Sequence, residues 1–441
     1  MTKIVSIFLI LFFIVTLNDS HARIRVDVTK GNIKPIPIAL SNINGQTPEE
    51  KNIGQQINDV INNNLNNSGL FKSLPPAIFI QNINSPQVIP HFASWRIIEA
   101  EFLLTGSISI FENDINIEFR LWDIVLEEEI LGESLTTNSD NYRRIAHIIS
   151  DKIYTKIIGE AGYFDTKIVY IAERGAANKR KKYLAIMDQD GFNHQLLTDG
   201  NYLTLTPRFS PEKQKILYLS YYGSTPQINI YDLEKNQFKT LGNFQGMTFA
   251  PRFAPISDNV IFSAENNGNS DIYITNIKNN RTKQLTFNSA IDTSPSYSPD
   301  EKYIVFNSDR GGRQQLYVMN SDGGNIRRIS FGQGSYSTPV WSPRGDLIAF
   351  TKMYNNRFHI GVMRPDGSGE RLITESYLDE GPTWSPNGRI IMFTRQQPFI
   401  SNSRPGTSRI YSIDITGYNL RLIKTPFQAS DPAWSPILPL E

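Results

Sequence analysis

Cysteine is absent from the 441-residue chain. That excludes disulfides, thiolate metal sites, cysteine nucleophiles and a lipidated N-terminal cysteine. Neither sign of charge is in excess: 44 Lys and Arg stand against 43 Asp and Glu, a formal net charge of +1. Nucleic-acid-binding domains carry a clearly basic balance, so no nucleic-acid partner is expected. Histidine is scarce, at five residues. Beyond His21, none of His91, His147, His194 and His359 has a second ligand residue at metal-binding spacing, and packing or surface roles are expected for them. Asp188-x-Asp190-Gly191 has the start of a calcium loop but lacks the later Glu. No metal or cofactor is expected. Gly-x-Ser-x-Gly, His-Glu-x-x-His and phosphate-loop motifs are missing as well. After residue 22 no stretch approaches the ~18 consecutive apolar residues of a transmembrane helix.

What is present starts at the N-terminus. Lys3 precedes an apolar run, Ile4–Leu17, broken only by Ser6 and Thr16, and Ser20-His21-Ala22 places small residues at the −3 and −1 positions. This order is that of a secretory signal peptide cleaved between Ala22 and Arg23, with an uncleaved anchor as the rival. An exported chain without cysteine suits the bacterial periplasm, where stray thiols would be oxidised.

The strongest pattern is a repeat. Pro-x-aromatic-small-Pro occurs six times, beginning at Pro207, Pro251, Pro295, Pro339, Pro382 and Pro432, at intervals of 44, 44, 44, 43 and 50 residues. Short β-rich runs follow the first five, such as Ile216–Leu219 and Ile228–Tyr231. About four strands fit each period, the size of a propeller blade. Ser298-Pro299-Asp300 and Asp322-Gly323 supply turn chemistry between them. The sixth motif has no strands after it, whereas Lys167–Tyr170 and Tyr183–Asp188 lack a motif before them. Pairing the two ends predicts a sixth blade that closes the ring and leaves no open edge. The aromatics Phe209, Tyr297, Trp341, Trp384 and Trp434 are expected as wedges between blades. Lys179-Arg180-Lys181-Lys182 reads as a solvated loop tip.

Residues 23–160 lack the repeat. Thr47-Pro48-Glu49-Glu50 has the form of a capping box ahead of an amphipathic helix. Phe102–Ile110 and Ile115–Leu121 alternate as paired strands, and a second helix carries Tyr142, Ile145, Ile149, Ile153 and Ile157 to Gly159. The fold class is therefore multidomain: a signal peptide at 1–22, an α+β domain at 23–160 and a six-bladed β-propeller at 161–441. The α+β part has 12 basic and 17 acidic residues and the propeller part 31 and 25, so a weak mutual attraction is expected.

The chain resembles the TolB family of the Tol–Pal system. The resemblance rests on the junction Arg144–Tyr154, with Gly159, Gly162, Phe164 and Thr166–Tyr170 after it, and on the closing Pro432-Ala433-Trp434-Ser435-Pro436. It covers essentially the whole exported chain. Departures fall at Ala254-Pro255-Ile256 and Pro211-Glu212-Lys213, which lack the usual acid-Gly turn.

The resemblance implies a monomeric, non-enzymatic periplasmic adaptor that reaches membranes only through its partners. One propeller face would bind the lipoprotein Pal, and the exported N-terminus would bind TolA, in support of envelope integrity and constriction at cell division. For Pal the loops entering the first strands are expected to serve: Thr206, Met247, Thr248, Phe249, Ala250, Thr293, Ser337, Thr338, Glu380 and Asp431. For TolA the segment is Arg23-Ile24-Arg25-Val26-Asp27-Val28, whose alternation suits pairing with a sheet edge. The alternatives are a propeller that binds a small molecule or peptide in its channel, and an accessory to a peptidase. The latter needs a hydrolase domain, which the five residues after Pro436 are not expected to supply.

Overall fold

The structure is a computed structural model that describes residues 34–438, apart from 176–178, 212, 213, 224, 243, 245, 399 and 402–405. The signal segment, the Ala22–Arg23 cleavage site and the Arg23–Val28 segment thus lie outside the described residues.

The N-terminal α+β domain runs β1 (Ile36–Asn44), α1 (Pro48–Asn67), β2 (Phe71–Ser73), α2 (Phe92–Ile97), β3 (Phe102–Phe111), β4 (Asp114–Asp123), β5 (Glu128–Asn138) and α3 (Tyr142–Ile158). Thr47 and Glu50 cap each other at the start of α1. Glu50 also accepts from the backbone N–H of Ile110 at 3.0 Å, tying the cap to β3. These donors, Thr47 first, hold its carboxyl below the ordinary value. The sheet order is β2-β1-β3-β4-β5, with β1 parallel to both neighbours. Ile57, Ile61 and Leu65 of α1 and Ile145, Ile149 and Ile153 of α3 bury against one face. Trp95 of α2 packs with Leu103 and Trp122 on the other.

Six four-stranded sheets follow. Their first strands are Thr204–Phe209, Thr248–Phe253, Asp292–Tyr297, Ser335–Trp341, Leu378–Trp384 and Gln428–Trp434; the blades are numbered one to six in that order. First strands of adjacent blades touch around the ring and line the channel. Blade six pairs Gln428–Trp434 with Lys167–Arg174, so both ends of the propeller share one sheet. The repeat aromatics are wedges: Tyr297, Trp341, Trp384 and Trp434 each belong to a separate buried cluster. Where blade two lacks its turn acid, Glu301 of blade three accepts from the N–H groups of Ile256 and Ser257, at 2.5 and 2.7 Å.

The joint between domains explains the junction residues. Asp151 on α3 accepts from the N–H groups of Phe164 and Asp165 at 2.7 and 2.9 Å. Tyr154, Tyr163 and Phe164 then pack edge-on, and Tyr163 reaches Trp434. Burial pushes the Asp151 carboxyl up from 3.8 to about 6, against the pull of its two backbone donors. A raised carboxylate means the folded state binds more protons than the unfolded one. Its contribution is therefore full below pH 3.8 and lost as pH climbs to about 6. The unfolding free-energy gap between the parent and Asp151→Asn should accordingly shrink by about 2–3 kcal/mol from pH 4 to pH 7. Denaturant titrations at several pH values measure it, and a gap that stays flat would contradict the assignment.

Candidate partner-binding face

Antiparallel meanders put the Ser-Pro turns and the loops from third to fourth strands at one end of the ring. Loops from second to third strands, and those entering the next first strand, share the other end. The α+β domain sits on the Ser-Pro end. Asn387 donates to the Ala161 carbonyl at 2.9 Å. Asn419 and Arg421 donate to the Asn67 carbonyl at 2.8 and 2.7 Å. Arg143 pairs with Asp190 at 2.5 Å and Arg344 with Glu160 at 2.8 Å. Arg344–Glu160 has the polarity the net charges of the domains favour, whereas Arg143–Asp190 has the reverse. Arg143, from the acidic domain, is the cation at the blade-six contact, because local geometry outweighs a sum of distant, screened charges.

His147, Asp188 and Asp190 converge here within 4.8 Å of one another. Their carboxylates are already engaged, by Arg143 and by Lys167, which lies 2.5 Å from Asp188. This leaves a cation-satisfied network at the domain contact that includes Asn64, 2.9 Å from His147. His147 is far in sequence from Asp188 and Asp190, so spacing pointed to the two aspartates but could not reveal the cluster.

The opposite end carries the expected partner residues, and there the backbone is unusual. The residue before every repeat proline has positive φ: Thr206, Ala250, Ser294, Thr338, Gly381 and Asp431. Each marks a β-bulge in the pairing of first and second strands. Proline disfavours the right-handed helical region for its predecessor and offers the ladder no N–H, so the strand bends at this point. Gly381 takes the conformation freely. The five non-glycine residues store of order 1 kcal/mol each. Hydroxyls on the preceding blade hold some of these backbones: Thr394 accepts from the Asp431 N–H at 2.9 Å and Thr351 from the Gly381 N–H at 3.3 Å.

Thr206, Phe249, Ala250, Thr293, Ser337, Thr338, Glu380 and Asp431 are half-buried at this end, and Met247 is exposed. Two details differ from expectation. Thr248 is buried, its hydroxyl donating to the Pro226 carbonyl at 3.1 Å, and presents no surface. The residue adjoining Pro295 is Ser294; Thr293 accepts from the Asn307 amide at 2.6 Å. Lys179–Lys182 is not a free tip either, since Arg180 and Lys182 pair with the buried Glu173 at 3.0 and 3.2 Å. Glu380 and Asp431 come together between blades five and six, and burial, then the Asp431 charge, pushes the Glu380 carboxyl up.

Sequence reasoning missed the apolar residues of the entering loops. Leu203, Ile291, Phe287, Phe331 and Tyr377 are all exposed, as Met247 is. A signal existed: Leu203, Met247 and Ile291 each stand four residues before a repeat proline. Apolar side chains clustered on one exposed face, ringed by polar loops, mark interaction surfaces.

The fold and this face define a class: a six-bladed propeller with an α+β domain seated on one end and an apolar-rimmed face at the other. Residues 24–130 match the family described as TolB amino-terminal domain and residues 154–438 the TolB beta propeller domain. The chain belongs to the TolB family of the Tol–Pal system. It is 60% identical over 421 residues to the Tol-Pal system protein TolB of Paramagnetospirillum magneticum, covering 95% of this chain and 94% of that one. The Pelagibacter ubique Tol-Pal system protein TolB is 55% identical over 440 residues, 98% of this chain and 99% of the relative. The crystal structure of TolB from Acinetobacter baumannii superposes with a TM-score of 0.81 at 25% identity, over 91% of this chain and 97% of that one. Among the described residues no helix is long and apolar enough to cross a membrane.

Proposed function

We propose that this chain is a non-enzymatic periplasmic adaptor that binds Pal through the propeller face opposite the α+β domain, and TolA through Arg23–Val28. It would thereby link the inner membrane to the peptidoglycan and outer membrane, and support envelope integrity and constriction at division. The observation that carries the reading is the face itself: exposed Met247, Phe287, Ile291 and Phe331 surround a ring of strained bulges. Backbone outliers of this kind cluster at ligand clamps, and aromatic and Met side chains are enriched in interface cores.

Titration of the exported chain with purified Pal and TolA tests it. Thr293→Trp and Phe287→Ser should each weaken Pal at least about tenfold, roughly 1.4 kcal/mol, with the fold intact by circular dichroism. Lys302→Trp, on the Ser-Pro end, should leave Pal affinity unchanged. The reverse pattern would reassign the face. Deleting 23–34 should abolish TolA binding, and any factor by which TolA changes Pal affinity must reappear in the effect of Pal on TolA. TolA binding that survives the deletion would exclude the segment.

A further inference from the structure

The channel holds charges that the adaptor reading does not use. The residue after each repeat proline lines a cavity of about 370 Å³. In blades three to six these residues are Ser296, Val340, Thr383 and Ala433, small or apolar; in blades one and two they are Arg208 and Arg252. Two guanidinium groups therefore stand at equivalent places on adjacent blades. Arg208 donates to the carbonyl of its neighbour Pro207 at 2.6 Å. Among the described residues neither arginine forms an ion pair, and the Arg252 guanidinium makes no hydrogen bond. Asp431 attracts Arg208, whereas the like charge of Arg208 acts on Arg252. Burial lowers both arginines, Arg252 well below its usual value. Both side chains are half-buried; like charges drawn partly out of water without a counter-ion are costly, and a planar guanidinium is shaped to take an oxyanion through paired N–H donors.

The rest of the cavity is of another character. Toward the Ser-Pro end its wall is a collar of Tyr297, Trp341 and Trp384 with the closing prolines of the repeat. On the other side, Glu380 and Asp431 repel anions from the partner-binding mouth. A ligand that suits both parts has an anionic head and a compact apolar body, and its volume fits a cavity of the size that holds small molecules.

We propose that the channel is a binding site for a small organic carboxylate, its head held by Arg208 and Arg252 and its body covered by the aromatic collar. The repeat aromatics then serve twice, as wedges between blades and as the wall of a ligand site.

Fluorescence titration of the full exported chain tests this, because three of its five tryptophans, Trp341, Trp384 and Trp434, line the cavity. Phenylacetate should bind and raise the melting temperature. Neutral phenylacetamide should bind at least about tenfold more weakly, the cost of losing a charge-assisted hydrogen bond, and inorganic phosphate, which has no apolar body, should also bind more weakly. Arg252→Ser, which installs the residue type of blade three, should lower phenylacetate affinity at least about tenfold and leave phenylacetamide unchanged, with a melting temperature no lower than the parent's. Equal binding of acid and amide by the parent chain overturns the proposal whether or not the variant folds. So do equal binding of phosphate, undiminished phenylacetate affinity in Arg252→Ser, and the absence of any response to phenylacetate. Pal affinity measured on the same variant separates this site from the partner face, since Arg252→Ser should not change it.

Discussion

Trp434→Ala should lower the unfolding free energy by about 4 kcal/mol, the upper range for a buried large-to-small change. Trp434 closes the ring. Its strand, the last of the chain, pairs with the first strand after the α+β domain, Trp434 standing opposite Ile168. The indole N–H donates to the Thr166 hydroxyl at 2.8 Å, and the backbone N–H donates to Thr383 of blade five at 3.3 Å. The ring also packs edge-on against Tyr163 at 5.8 Å. Removing it opens a cavity where blade five, blade six and the domain joint meet, and takes one of two hydrogen bonds from the buried Thr166 hydroxyl, which still donates to the Tyr163 carbonyl at 2.7 Å. Phe209→Ala, the equivalent change in blade one, should cost less than half as much, because Phe209 is only half-buried and has no polar tip to lose. Urea unfolding followed by circular dichroism measures both. Equal costs would mean that closure has no special energetic weight at the chain ends.

Gly162→Ala should cost about 3 kcal/mol and divide one thermal transition into two. A Cβ at this position would lie 2.0 Å from Asp151 Oδ1 and 2.7 Å from Asp151 Cα. A side chain can turn away, but Cα belongs to α3, which is fixed by Ile149, Ile153 and Tyr154 in the buried core. The strand-entering segment 162–166 must therefore move. It would lose the two N–H bonds to Asp151 and the packing of Tyr163 and Phe164, part of the contacts that carry the α+β domain on the propeller. Gly268→Ala is the control: that glycine has positive φ, but nothing lies within 4 Å of its added Cβ, so the cost is conformational and of order 1 kcal/mol. Differential scanning calorimetry separates the outcomes. An unshifted single transition in Gly162→Ala would show that the joint does not couple the domains.

By itself the sequence determined the propeller, the number of blades and the shared sixth sheet, because each repeat encodes its own strands, turns and wedge through neighbouring residues. The capping box at Thr47, the core stripe of α3 and its Gly159 terminus were legible for the same reason. The candidate face was legible as a place, the loops entering the first strands, through the family resemblance. Its make-up was legible only in part: Met247 was among the expected residues but Leu203 and Ile291, at the same place in their repeats, were not, and Thr248 proved buried. Tertiary structure alone decided what depends on convergence of distant segments. It placed Glu301 in the turn of another blade and joined His147 to Asp188 and Asp190. It set the acidic pair Glu380–Asp431 across two blades, and turned Arg208 and Arg252, each a single position in its own repeat, into adjacent charges in one channel. Local propensity acts within a few residues, whereas burial and Coulomb interactions act through space, and only the closed ring sets those distances.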